Sequence, residues 1–265
     1  MKPVTSQRRG IQSLEIGIRL FQDVHRLGRP VTLSELARRS KMPASKVHRY
    51  CVSLIRTGLL HQDGRGLYSI GSYGFQLSHA EAEVDHARAL ALAALPDLVS
   101  ETNETVFLSE WGEAGPRILR VVDPARPISI RPTTTGEIPV LLSATGRVFA
   151  AFMDVVRVTT LIDAEIIRLC HEQTLSAREA RMRKQAFLRQ LPDVRRRGIA
   201  RTTGERYRGL VSFAVPIFDP RGRVILALTA FGLATTFPSA WDAAVPRALL
   251  RCASDLTRRI GGRKP

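Results

Sequence analysis

The side chains best placed to do chemistry crowd into one short basic stretch. Between Pro43 and Gly58 the chain reads PASKVHRYCVSLIRTG. At helical spacing Val47, Cys51, Leu54 and Ile55 fall on one face, while Ser45, Lys46, Arg49, Tyr50, Ser53 and Arg56 fall on the other. A helix that buries an apolar stripe and shows cations outward suits a polyanion. Arg49 has the fork geometry for the O6/N7 edge of guanine, and Lys46 and Ser45 suit bases or phosphates. His48 and Tyr50 each have two readings: contact with a base, or packing at the edge of the core. Arg65, in the tip 63–66 (DGRG), is in reach of a phosphate or a minor groove. Arg8 and Arg9 read as a basic arm.

Other chemistries lack their residues. There is no GxSxG, no P-loop, no HExxH and no paired-carboxylate arrangement with a catalytic spacing. We therefore expect no catalytic residues, no metal site, no cofactor and no enzyme activity. Cys51, Cys170 and Cys252 are odd in number and widely spaced, which fits small buried apolar residues better than disulfides or zinc ligands. The run Arg195-Arg196-Arg197 reads as a solvated helix end, with a second polyanion site as the alternative.

The elements that must hold the basic stretch can be read around it. Residues 11–27 place Leu14, Ile18, Phe21, Val24 and Leu27 along a helical stripe, with Ser13 as a plausible N-cap and Gly28 to Pro30 as the stop. Thr32-Leu33-Ser34-Glu35 has the form of a capping box and opens a second helix. Pro43 suits the first position of the third, and Gly58 its left-handed end. Two short apolar runs then flank the 63–66 tip, a hairpin signal. Three helices and a hairpin describe a winged helix-turn-helix, a module that lays its third helix in the major groove of double-stranded DNA. Helical trios also occur in modules that bind no DNA.

Charge agrees with the DNA reading. The 265-residue chain carries a formal charge of +16. Residues 1–78 hold 13 Lys and Arg against 4 Asp and Glu, so under a third of the length carries more than half of the excess. A merely soluble basic surface is the bland alternative. No apolar run is long enough for a membrane span, and the first ten residues lack the apolar core of a secretory signal, so a cytoplasmic protein is expected.

Beyond the wing, 72–95 is rich in Ala, Leu, Glu and His and reads as one long or broken helix, with Pro96 kinking it or starting a new segment that ends near Thr102. Strands follow at 105–111, 118–122 and 128–130, then an apolar helix at 147–152 opened by 143–146. Helices at 165–169 and 177–191, a hairpin of 211–218 with 224–233, and a closing amphipathic helix at 242–260 complete the chain. Strands with helices on one side make an α+β domain.

Three stretches carry a specific resemblance. IQSLEIGIRLFQDV, RPVTLSELARRSKMPASKVHRYCVSLIRTGLL and GLYSIGSYGFQLS are similar to the N-terminal domain of the IclR family of bacterial transcription regulators, whose pattern runs VQSLERAL, LTLSELA…GLPKSTVHRLL and YRLG. Farther on, Glu104-Thr105-Val106, 139–152 and 209–228 resemble that family's effector-binding domain, a relative of the GAF fold. The resemblance implies a winged helix-turn-helix at 9–71, a connector helix at 72–95 that helps pair subunits, and a GAF-like effector-binding domain at 96–265. It also implies a homodimer or tetramer on a partly palindromic operator.

The implied effector site joins Ser143, Ala144, Thr145 and Gly146 at a helix start to Thr202, Thr203, Ser212, Thr229 and Phe231 on the sheet. Many members carry an acidic pair where Thr202-Thr203 stand and a Cys where Ser212 stands. With those acids gone and Arg201, Arg206 and Glu205 nearby, a small organic acid is the expected effector, with Phe213 or Phe231 packing on its body. The alternative is a nucleic-acid-binding scaffold whose second domain only oligomerises.

Overall fold

The computed structural model describes residues 11–125, 137–172 and 176–265. The arm at Arg8 and Arg9 and the strand expected at 128–130 lie outside the described residues. The chain forms two compact units, Met1–Glu83 and Val84–Pro265.

In the first unit, α1 (Gln12–Leu27), α2 (Leu33–Ser40) and α3 (Ala44–Arg56) precede a hairpin of β1 (Leu60–Gln62) and β2 (Tyr68–Ile70). The strands pair antiparallel with His61 opposite Ser69, and Val31 adds a bridge to Tyr68. Leu20, Val24, Leu36, Val47, Cys51, Leu54, Leu60 and Tyr68 form its core. The stripe on α1 differs from expectation. Gly17, Leu20 and Val24 are buried, whereas Leu14 is 63% exposed and Ile18 38%. The reason is the crossing at Gly17. A Cβ there would lie 3.9 Å from Tyr50 Cδ1, so the glycine face is the one α3 approaches most closely. Ser13 is not the cap; Ile11 takes that position without a side-chain bond.

On α2, Thr32 Oγ1 accepts from the Glu35 amide at 3.2 Å. The reciprocal half of the box is replaced, because the Glu35 carboxylate pairs with Arg29 at 2.7 Å. Thr32→Ala should therefore cost about 1 kcal/mol, read as a lower denaturant midpoint with an unchanged slope. No change in midpoint would show that the cap carries nothing. Pro43 is the N-cap of α3 rather than its first helical residue, and Gly58 holds the left-handed φ of 71°.

Helix α4 (Ser72–Thr102) gives its first residues to the first unit and the rest to the second. Pro96 lies within it and does not break it. The second unit is built on an antiparallel sheet of order β4-β3-β7-β6-β5, formed by β3 (Thr105–Gly112), β4 (Gly115–Val122), β5 (Ala200–Thr203), β6 (Leu210–Phe218) and β7 (Val224–Leu233).

Alternation splits its side chains between two cores. Val106, Leu108, Phe213, Val215, Leu226 and Leu228 pack against α4 and α8 (Ala244–Arg259). Ala200, Ala214 and Ala227 pack against α5 (Ala144–Phe152), α6 (Val155–His171) and α7 (Ala177–Arg197). Helices thus cover both faces, correcting the expectation of one side. Two helices also outrun their expected lengths. Asp154 caps α6 ten residues early by accepting from the Val156 and Arg157 amides, and α7 runs through Pro192 to Arg197. No helix among the described residues is long and apolar enough to cross a membrane.

Candidate functional site

The first candidate surface is the outward face of α3. Ser45, Lys46, His48 and Arg49 are exposed at its N-terminal end, and Tyr50 is half-buried against the core. Among the described residues no carboxylate pairs with Lys46, Arg49 or Arg65. Three acids of this unit are engaged elsewhere: Glu35 on Arg29, Asp23 facing Arg26 at 3.9 Å, and Asp63 on the wing turn.

Asp63 Oδ1 accepts from the Arg65 and Leu67 amides at 2.9 and 2.8 Å, which shapes the tip and leaves the Arg65 side chain exposed. His48 packs at the edge of the core and is still open to solvent. It stands on the exposed face, and its Nδ1 lies 3.2 Å from the buried Tyr68 hydroxyl, tying α3 to the wing. Arg38, Arg39 and Lys41 add exposed cations just before α3. Exposed cations thus run from the end of α2 through the turn onto the outward face of α3, and a helix is what the major groove, about 12 Å across, admits.

The second candidate is a cavity of about 660 Å³ in the second unit. Its floor is sheet: Phe107, Thr229, Phe231, Thr202 and Ser212. One wall is the start of α5, with Ser143, Ala144 and Thr145, and the other is the 204–208 loop. Local chemistry explains the α5 wall. Ser143 Oγ caps α5 by accepting from the Gly146 amide at 2.9 Å and donates to the Pro139 carbonyl at 2.5 Å. Glu165 on α6 accepts from the Val140 and Leu141 amides at 2.8 and 3.2 Å and so holds the approach to the helix. Burial pushes the Glu165 carboxyl above the usual carboxylate range, against the pull of those two amides.

Inside the cavity, hydroxyls come in pairs. Thr145 Oγ1 lies 2.7 Å from Thr229 Oγ1, and Thr202 Oγ1 lies 2.5 Å from Ser212 Oγ. Each pair holds lone pairs and a proton that a polar ligand can share. Phe107 and Phe231 meet edge to face at 5.9 Å and present apolar surface beside them. Apolar residues with a few convergent polar groups are the usual lining of a small-molecule site.

Ser143, Ala144, Thr145, Thr202, Ser212, Thr229 and Phe231 all reach this cavity, whereas Gly146 and Thr203 do not. Gly146 packs on the Val140 backbone instead, and Thr203 is exposed. Phe213 is a correction. It points to the opposite face of the sheet, where it meets Phe237 and Trp241, because its position on β6 is odd relative to Ser212. Arg201 likewise turns away, donating to the Ser239 carbonyl and stacking 4.6 Å from the Trp241 ring.

Arg206 and Glu205 do line the cavity, joined by Tyr207 and Arg208, which sequence reasoning passed over. The glycines bracketing GERYRG were the available signal. Arg147, buried and bonded to Glu205, was also missed. The arginine run is used structurally. Arg195 donates to the Ala151 carbonyl, Arg196 pairs with Asp193, and Arg197 stacks 4.7 Å from Trp241. Among the described residues there is no cluster of three metal-ligating side chains.

Comparison with known proteins gives matches over nearly the whole chain. Residues 80–258 match the family described as bacterial transcriptional regulator IclR C-terminal, and residues 13–64 match the IclR helix-turn-helix domain. The chain is 24% identical to the transcriptional repressor IclR of Escherichia coli over 98% of its own length and 93% of the relative's. It is 28% identical to the Pca regulon regulatory protein of Pseudomonas putida over 82% and 72%. Among solved structures, Pseudomonas aeruginosa HmgR is similar with a TM-score of 0.60 and 30% identity, covering 96% of this chain and all of that one.

Proposed function

The chain belongs to the IclR family of bacterial transcription regulators, and from that premise we propose that its DNA-binding module reads an operator whose grip on the protein is set by a small organic acid held in the second unit. The winged module supplies the reader, with Lys46 and Arg49 at base edges, Ser45 and His48 beside them, Tyr50 behind, and Arg65 on a flanking phosphate. Two copies, as a dimer or within a tetramer, engage the two halves of a partly palindromic site.

The observation that carries the effector half is the lining of the cavity. Hydroxyl pairs and the residues Arg206 and Arg208 line the same opening as Phe107 and Phe231. That combination accepts a carboxylate at one end and an apolar body at the other. A scaffold that merely oligomerised through this unit would have no need of an opening of about 660 Å³. Binding alters transcription only if the acid favours one arrangement of the two readers over another.

A thermal-shift panel tests the ligand class. Benzoate and hexanoate are matched against benzyl alcohol and hexanol. At about one hundred times its Kd a ligand adds roughly 2.7 kcal/mol, a shift of several degrees. We expect the acids to raise Tm and the alcohols to leave it unchanged. Shifts with the alcohols and none with the acids would contradict the reading.

A further inference from the structure

The loop that closes one side of the cavity is bracketed by Gly204 and Gly209, at φ +85° and +81°, values that side-chain-bearing residues rarely adopt. Between them lie Glu205, Arg206, Tyr207 and Arg208, and all four line the opening. The last three are exposed, so the strap has little packing of its own to fix it. Backbone hydrogen bonds from the Gly204 amide to the Leu210 carbonyl and from the Ala234 amide to the Gly209 carbonyl close its base, and Arg183 reaches the Glu205 carbonyl; what ties its acidic side chain to the body of the unit is charge. Arg147, on the first turns of α5, is 6% exposed, and its Nη2 pairs with Glu205 Oε1 at 2.8 Å. Its Nη1 donates to the Arg201 carbonyl. Its Nε is buried and has no partner among the described residues. Glu205 Oε2 accepts in turn from the Thr203 amide.

Both partners of this buried cation therefore come from residues 201–205, the run that leads into the strap. A buried guanidinium that loses its carboxylate is left uncompensated, so the closed strap is strongly preferred. Because Arg206 follows Glu205 directly and Arg208 comes two residues later, pinning Glu205 also sets where these two cations stand relative to the Thr202 and Ser212 hydroxyls.

We propose that Arg147 and Glu205 are positioning residues for the ligand site: their ion pair pins the 204–209 strap over the cavity and so sets how tightly an acid is held. This rests on the ligand-site reading above, and the test is built so that each can fail alone. Hydrogen exchange is measured on the full chain in the absence of ligand, for wild type, Glu205→Gln and Arg147→Lys. The Gly204 and Leu210 amides, which bond to Leu210 and Tyr207 carbonyls, report strap opening. A charge-assisted hydrogen bond is lost in Glu205→Gln, so their exchange should speed up roughly 10- to 100-fold. The β6–β7 amides should keep their protection, which shows that the unit stays folded. Arg147→Lys keeps a cation facing Glu205 but loses the fork to the Arg201 carbonyl, so its exchange should fall between wild type and Glu205→Gln.

Benzoate is then titrated as the probe. If it binds wild type, Glu205→Gln should weaken it by a similar factor, through faster release. Wild-type exchange rates in Glu205→Gln, or faster exchange with unchanged benzoate affinity, would overturn the proposal. If benzoate fails to bind wild type while the exchange result holds, the acid reading is at fault and the pin stands.

Discussion

Arg49→Ala should weaken binding to the operator duplex by roughly 5- to 150-fold, the 1–3 kcal/mol of a bidentate contact with guanine, and should relax discrimination at one base position in each half-site. The geometry is specific about why. Arg49 is exposed on α3, its backbone is fixed by Val47 and Cys51 in the core beneath, and no described carboxylate neutralises it. Lys46→Ala should behave differently. A phosphate contact carries no sequence information, so affinity should fall about equally on all duplexes, and the slope of log K against log salt should shrink by about one. Competition titrations with operator variants separate the two. Equal affinity of Arg49→Ala and wild type for the operator would remove Arg49 from the interface.

Gly146→Ala should be a strongly damaging small substitution in the wall of the cavity. A Cβ at Gly146 would stand 2.2 Å from the Val140 carbonyl oxygen and 2.5 Å from its Cα, inside van der Waals contact with backbone that has nowhere to retreat. Val140 is held there by burial and by the hydrogen bond its backbone N–H donates to the Glu165 carboxylate at 2.8 Å. The methyl group must therefore push α5 away from the 138–143 segment, and with it Ser143 and Thr145 in the cavity wall. The cost belongs at or above the upper end of the roughly 1–3 kcal/mol typical of overpacking. At about 2–4 °C per kcal/mol for a unit of this size, Tm should drop by roughly 6–12 °C, and acid binding should be lost even where the variant is folded. An unchanged Tm would show that the contact yields freely. The Gly146 amide is spent on Ser143 Oγ, and the residue's part in the wall is steric: it lets α5 approach Val140.

These two residues also mark what was legible in the sequence. The first unit could be read almost element by element because its signals are local: Thr32 with Glu35, Pro43, Gly58, and the Asp63–Gly66 tip each act within a few residues. The orientation of α1 could not, because it depends on where α3 crosses, and a glycine at position 17 looks like a weak helix residue until its neighbour is known. In the second unit the hairpin of β6 and β7 and the stripe of Val245, Leu249 and Leu256 were plain. The start of α6 was hidden because Val155 and Val156 are exposed and carry no amphipathic signal, leaving only the Asp154 cap.

The sheet side of the cavity was legible from the family resemblance at Thr202, Ser212, Thr229 and Phe231, but the expectation of Thr203 and Phe213, one residue out of step with Thr202 and Ser212, ran against the alternation of the strands. The loop wall was less legible. Glu205 and Arg206 could be placed near the site, but Tyr207 and Arg208 could not, and nothing in the order of residues says that Arg147, some sixty positions earlier, is buried against Glu205. Long-range charge pairing has no local signature.

The account stands on α3 being presented to duplex DNA. The most direct test is fluorescence-anisotropy titration of the full chain against duplexes from its own promoter and against a scrambled duplex, from low to high salt. We predict tighter binding to one promoter segment, with affinity falling steeply and linearly in log salt as phosphate contacts release counterions. Failure to bind any duplex at low salt, or binding insensitive to both salt and Lys46→Ala with Arg49→Ala, would contradict it.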